Sequence, residues 1–146
     1  VLGLPPAERA TITITGGFVD IPSPMLESAL TAKNRIAALL GGRAAEQGIL
    51  GEALNGAGIG QNSDLKLATR LAAQMLFEWG LGDQLAFTPP PARIKDRTKH
   101  LDNILKDAEQ SAIQILTTKK ELIAKIAATL CKKRELSGEQ IRALLP

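Results

Sequence analysis

The stretch Asn62-Ser63-Asp64-Leu65-Lys66-Leu67-Ala68-Thr69-Arg70-Leu71-Ala72-Ala73-Gln74-Met75-Leu76-Phe77-Glu78-Trp79-Gly80 carries the reading that decides the fold. Leu65, Ala68, Ala72, Met75, Leu76 and Trp79 recur at helical spacing and line one face of an amphipathic helix. Asn62-Ser63-Asp64 provides capping side chains at its start, and Gly80 and Gly82 stop it. A second helix is expected upstream, opened by Ser23 as N-cap with Pro24 in its first turn, and running to about Glu46 with Gly48 past its end. Leu26, Leu30, Ile36, Leu39 and Leu40 supply its apolar positions. Gly41-Gly42 falls inside it. Since Gly in a helix interior costs roughly 1 kcal/mol against Ala, the pair is expected to allow close approach of another backbone.

Downstream, Phe87 to Pro91 reads as an extended proline-rich connector. Leu101, Ile104, Leu105, Ala108, Ala112, Ile115 and Leu116 then lie on one helical stripe. Thr118-Lys119-Lys120-Glu121 reads as a capping box opening a helix with Leu122, Ile123, Ile126, Ala127 and Leu130 inward. Ser137-Gly138-Glu139-Gln140 reads as another, before a last helix ending at Leu145. Only the N-terminal end breaks this period. Ala10 to Thr15 alternates strictly and is rich in β-branched residues, so it predicts a strand with Ile12 and Ile14 on one face. Gly16-Gly17 turns the chain into a second short strand over 18–21. Two strands alone are marginal, so they must lie against helices or join further strands.

The expected fold class is therefore mainly α, a helical domain with a small β-ribbon near the N-terminus. One domain fits 146 residues. It divides into a β-ribbon segment over 1–22, a pair of helices with their loop over 23–88, and a C-terminal helical part over 96–146. A content of 45% hydrophobic but only 3% aromatic residues suits close-packed helices of Leu, Ile, Ala and Val. The single Cys131 excludes an internal disulfide and a multi-cysteine metal site. No apolar run approaches the roughly 18 residues of a membrane span. The net charge of +3, with 18 basic residues against 15 acidic ones, gives little support to nucleic-acid binding. The basic residues are interspersed along helices, without the aromatic platform that single strands require. His100 sits in a polar stretch and reads as solvated.

Two local motifs have a chemical character. The first is Leu39-Leu40-Gly41-Gly42-Arg43-Ala44-Ala45-Glu46. The second, after a glycine-rich loop over Gly56 to Asn62, is Ser63-Asp64-Leu65-Lys66-Leu67-Ala68-Thr69. In this order they resemble the peptidase domain of FtsH-type AAA+ ATP-dependent zinc metalloproteases. That family carries a Leu-Leu-Gly-Gly-Arg-Ala-Ala-Glu helix and an Asn-Asp-Leu-x-x-Ala-Thr helix start. The similarity continues through Met75-Leu76 and Trp79-Gly80-Leu81-Gly82 to Leu136-Ser137-Gly138-Glu139-Gln140-Ile141, covering nearly the whole chain.

The resemblance implies a zinc-dependent endopeptidase domain. In the family, zinc is held by the two His of an H-E-x-x-H helix and by the Asp of the Asn-Asp-Leu motif, which here is Asp64. It places Glu46 beside the metal, holding a ligand rather than binding zinc itself, and Gly41, Gly42 and Arg43 as structural residues near the site. Arg43 reads as the partner of a carboxylate.

This chain has one His and no H-E-x-x-H. In the family that helix directly precedes the strand segment that Ala10 to Ile14 resembles, and Val1-Leu2-Gly3-Leu4-Pro5-Pro6 resembles its exit, so the resemblance places the motif just upstream of Val1. No catalytic residue is then expected in this segment, which alone is expected to be inactive and to hold no zinc tightly. Ser63 stands where the family has Asn, and the loop Gly56-Ala57-Gly58-Ile59-Gly60-Gln61 is longer than usual. The resemblance further implies ATP and magnesium in a separate ATPase domain, protein or peptide substrates, and a hexameric homo-oligomer. It implies a location on the cytoplasmic side of a membrane, the bacterial inner membrane, with anchoring outside this chain. No nucleic acid and no membrane contact by this segment are expected. The alternative is a proteolytically silent relative serving assembly or adaptor binding, to which Gln47 and the long loop are mild pointers.

Overall fold

The computed structural model describes residues 2–14, 16–87 and 95–146. Its elements in chain order are β1 (Arg9–Ile12), β2 (Gly17–Asp20), α1 (Ala29–Leu39), α2 (Gly41–Ala45), a π-helical turn (Glu46–Leu50) and a 3-10 turn (Gly56–Gly58). Then come α3 (Asp64–Phe77), α4 (Lys95–Thr118), α5 (Lys120–Lys133), β3 (Glu135–Ser137) and α6 (Gly138–Leu144). The fold is mainly α with a small sheet, as the sequence implies. The chain forms two compact units, Val1–Gly3 with Glu27–Thr117, and Leu4–Leu26 with Thr118–Pro146.

The first unit holds the larger core, where Ile36, Ala37 and Leu40 meet Ala68, Leu71 and Ala72 of α3 and Ala108 and Ala112 of α4. The many alanines let the helices approach closely, and Leu39, Leu65, Leu101, Ile104, Leu105 and Leu116 pack around them. Asn34 Nδ2 donates to the Leu2 carbonyl at 2.7 Å, which holds the start of the chain on α1.

The first helix departs from its sequence reading. It begins at Ala29, with Ser28 and not Ser23 as N-cap; the Ser28 hydroxyl accepts the Thr31 N–H at 3.1 Å. The reason is non-local. Glu27 pairs with Arg35, and residues eight apart on one continuous helix stand about 12 Å apart along its axis. The chain must leave the helix before Ser28 for the two to meet. Met25 and Leu26 are consequently exposed, at 99% and 88%, so Leu26 is not a core position. Leu30 is exposed as well, on the side of α1 opposite Ala32 and Ile36. At the other end, Gly48 lies within the π-helical turn, and Gly51, at φ +85°, is the left-handed C-cap.

In the second unit β1 is central, in the order β2-β1-β3, with both neighbours antiparallel. The ribbon therefore gains its third strand from near the C-terminus, pairing Ala10 with Leu136, both buried. Ile14 is not on the strand. Thr13 turns the chain by donating its N–H and hydroxyl to the Gly16 carbonyl, at 2.7 and 2.9 Å, and Ile14 is 95% exposed. Thr15 lies outside the described residues, as does most of the Phe87 to Pro91 connector.

The capping box at Ser137 is present, with Gln140 N–H on Ser137 Oγ at 3.3 Å and Ser137 N–H on Gln140 Oε1 at 3.0 Å. The one expected at Thr118 is absent. Lys119 takes the N-cap position of α5 without a side-chain bond, because Thr118 remains the last residue of α4.

Candidate functional site

The two sequence motifs meet through the loop between them. The 3-10 turn Gly56–Gly58 packs against both α2 and the start of α3. Gly58 faces Leu65, its would-be Cβ 3.9 Å from the Leu65 side chain. The Leu-Leu-Gly-Gly-Arg segment and Asp64 thus flank one loop.

Arg43 Nε donates to Glu109 Oε1 at 2.8 Å, linking α2 to α4 in a half-buried ion pair. Among the described residues nothing makes the close approach to Gly41 and Gly42 that the sequence leads one to expect. A Cβ at either position meets no described atom within 4 Å beyond the helix itself.

Glu46 opens the π-helical turn, and its Oε2 accepts the Leu54 N–H at 2.9 Å. Gln47 Nε2 donates to the Gly51 carbonyl at 3.3 Å. At the other end of the loop, Lys66 Nζ donates to the Gly60 carbonyl and Arg70 to the Gln61 carbonyl, each at 2.7 Å.

Asp64 is the first residue of α3, with its carboxylate exposed. The carboxylate makes no hydrogen bond or ion pair with any described residue. Partial desolvation at the junction of loop and helix raises its pKa above the ordinary aspartate value; a bound cation would act in the opposite direction. Ser63 has the extended backbone of an N-cap, but its hydroxyl makes no capping bond and is buried without a partner among the described residues. Asp64 therefore suits one oxygen ligand of a cation. Among the described residues no three His, Cys, Asp or Glu side chains cluster to hold a metal, so this chain's described residues do not fit a complete zinc site.

Asp64, Leu67, Leu71, Gln74 and Glu78 follow one another at helical spacing along one side of α3. The last four, with Glu27, Arg35, Leu39, Arg70 and Trp79, line a cleft of about 560 Å³. Trp79 stands on its wall and not in the core, because α3 ends at Phe77, which is buried instead. One oxygen of Glu27 is buried in this region without a hydrogen bond to any described residue.

The sequence reading missed Glu27, Arg35, Lys66 and Arg70. A usable signal existed for the last two. Two basic residues four apart in the first turns of a helix oppose its dipole, which suggests that they reach back to loop carbonyls. His100 is exposed, its Nε2 4.0 Å from Asp83.

The profile of peptidase family M41 matches residues 14–97, more than half of the chain and a span that includes both motifs. The chain is 30% identical to the ATP-dependent zinc metalloprotease FtsH of Acidothermus cellulolyticus, over 96% of this chain and 24% of that protein. It is 30% identical to the FtsH of Lancefieldella parvula, over 82% of this chain and 21% of that protein. Against the ATP-dependent zinc metalloprotease FtsH 4 of Sorangium cellulosum the identity is 28%, over 78% and 20%. The chain spans about a fifth to a quarter of the length of these curated relatives. No helix among the described residues is long and apolar enough to cross a membrane.

Proposed function

The chain belongs to peptidase family M41, and on that premise we propose that it is part of the zinc-dependent endopeptidase domain of an ATP-dependent protease, with Asp64 as one zinc ligand. The supporting observation is Asp64 itself. It is an exposed carboxylate without a partner among the described residues, at the start of α3, and it heads the side of that helix which lines the cleft.

In this reading the two His ligands and the general-base Glu come from an H-E-x-x-H helix that precedes Val1 in the whole protein. Zinc held by those residues together with Asp64 would supply Lewis-acid chemistry, activating water and polarising the peptide carbonyl. The part of this chain is narrower. Asp64 supplies an anionic oxygen from a rigid helix start, and Arg43 with Glu109 ties α2, the helix before the loop, to α4. ATP and magnesium act in a separate ATPase domain. The substrates are proteins or peptides. The whole protein is a homo-hexamer on the cytoplasmic side of a membrane, anchored by segments outside this chain.

The test is Asp64→Asn in the full-length protein, with zinc content, protein-substrate cleavage and ATP hydrolysis measured together. Asn keeps the size and capping ability of Asp but removes the charge. Loss of zinc and of cleavage with ATP hydrolysis intact is the expected result. Cleavage near the wild-type rate would reject Asp64 as a ligand. A wild-type protein with neither zinc nor cleavage would favour the silent assembly or adaptor module.

A further inference from the structure

The chain entering Asp64 is held by charged side chains and not by a helix cap. Ser63 occupies the N-cap position, yet its hydroxyl bonds to nothing among the described residues. Lys66 and Arg70 instead reach back from α3 to the carbonyls of Gly60 and Gln61, each at 2.7 Å. At the far end of the same loop Glu46 accepts the Leu54 N–H at 2.9 Å. These contacts lie on either side of a loop that has left-handed glycines at both ends, Gly51 at φ +85° and Gly60 at φ +92°. Such glycines leave an unrestrained loop many alternative paths. Basic side chains near a helix N-terminus are unfavourable towards the dipole, so their placement is accounted for by the carbonyls they bind. Side chains on a helix lean towards its N-terminus, which brings Lys66 and Arg70 back over the loop.

We infer that Glu46, Lys66 and Arg70 are positioning residues that clamp the 51–62 loop from its two flanking helices and so set the place and orientation of Asp64. In this role they act through the backbone that leads to Asp64. The inference rests on the proposed reading of Asp64 as a zinc ligand. Groups that orient a ligand in this way govern metal affinity about 10–100-fold.

The test uses the full-length protein with Glu46→Ala, Glu46→Gln, the Lys66→Met/Arg70→Met double variant, Arg70→Lys and Asp64→Asn. Amide hydrogen exchange over residues 51–63 reports the clamp. Chelator competition gives the zinc affinity, and the visible spectrum of the cobalt-substituted protein reports ligand geometry. Glu46→Ala and the double variant should speed loop exchange, weaken zinc about 10–100-fold and alter the cobalt spectrum. Glu46→Gln retains a carbonyl acceptor and Arg70→Lys a donor, so both should keep near wild-type values. Unchanged loop exchange in Glu46→Ala and the double variant would overturn the clamp. Faster loop exchange with unchanged zinc affinity, while Asp64→Asn loses zinc, would overturn the positioning role and leave the ligand assignment intact. Zinc retained by Asp64→Asn would instead overturn the ligand assignment, whatever the loop does. If Glu46→Ala fails to fold, the exposed Lys66 and Arg70 carry the test.

Discussion

Gly138 lies so close to Ala7 that a Cβ built on it would stand 2.5 Å from the Ala7 carbonyl oxygen. The contact is backbone against backbone, and the Gly138 N–H also donates to the Glu8 carbonyl at 2.6 Å. Neither side can turn away without breaking the junction of β3 with α6. Gly138→Ala should therefore destabilise the fold by about 1–3 kcal/mol, the usual scale of overpacking at a site that cannot relax. Denaturant titration checks it; an unchanged midpoint would show that the strand moves freely.

Arg134 is the one non-glycine residue with positive φ among those described, at +66°. It closes α5, its N–H on the Leu130 carbonyl at 2.7 Å, while its own carbonyl accepts the Ile12 N–H at 2.9 Å. Glycine adopts this conformation without the steric cost that a Cβ brings, about 1 kcal/mol. Arg134→Gly should accordingly raise stability by up to about 1 kcal/mol, read as a higher melting temperature. A fall would mean that the Arg134 side chain contributes more than its backbone costs.

The ion pair of Arg43 with Glu109 joins α2 to α4 over 2.8 Å, with about a third and a quarter of the two side chains exposed. A double-mutant cycle with Arg43→Ala and Glu109→Ala should give a coupling near 1 kcal/mol, at the upper end for solvent-screened pairs. A coupling near zero would leave Arg43 without this structural role.

The parts legible in the sequence are those that local physics decides. The stripe Ala68, Ala72, Met75 gives α3 because helical spacing places it in the core, with Leu65 partly buried beside it. Ser137 and Gln140 announce α6 because both halves of a capping box lie within four residues. Ser23 and Ser28 offer the same capping chemistry, and the pairing of Glu27 with Arg35, eight residues apart, accompanies the start at Ser28. Likewise β3 has three residues and no period to read, and its contact between Thr11 and Glu135 spans 124 residues. Around the site, Asp64 was legible as part of a motif. Lys66 and Arg70 stand against the helix dipole already in the sequence, but which carbonyls they bind, those of Gly60 and Gln61, depends on a loop path that no period fixes.

Gly41 and Gly42 offer a prediction whose sign depends on what surrounds them. Within this chain a Cβ on either meets no described atom within 4 Å beyond the helix itself. Alanine is preferred over glycine in a helix by roughly 1 kcal/mol, because the unfolded chain loses less freedom on folding. In residues 1–146 produced alone, Gly41→Ala and Gly42→Ala should each leave stability unchanged or raise it by up to about 1 kcal/mol. In the full-length protein the same substitutions ask whether a further backbone lies against this face. If one does, the added methyl group of either variant would hold it away and shift the histidine ligands proposed to come from outside this chain. Zinc content and substrate cleavage would then fall although the isolated chain had gained stability. Zinc content and cleavage at wild-type levels in both variants would show that no backbone packs closely on the glycine pair. The pair would then have no steric role in the peptidase site.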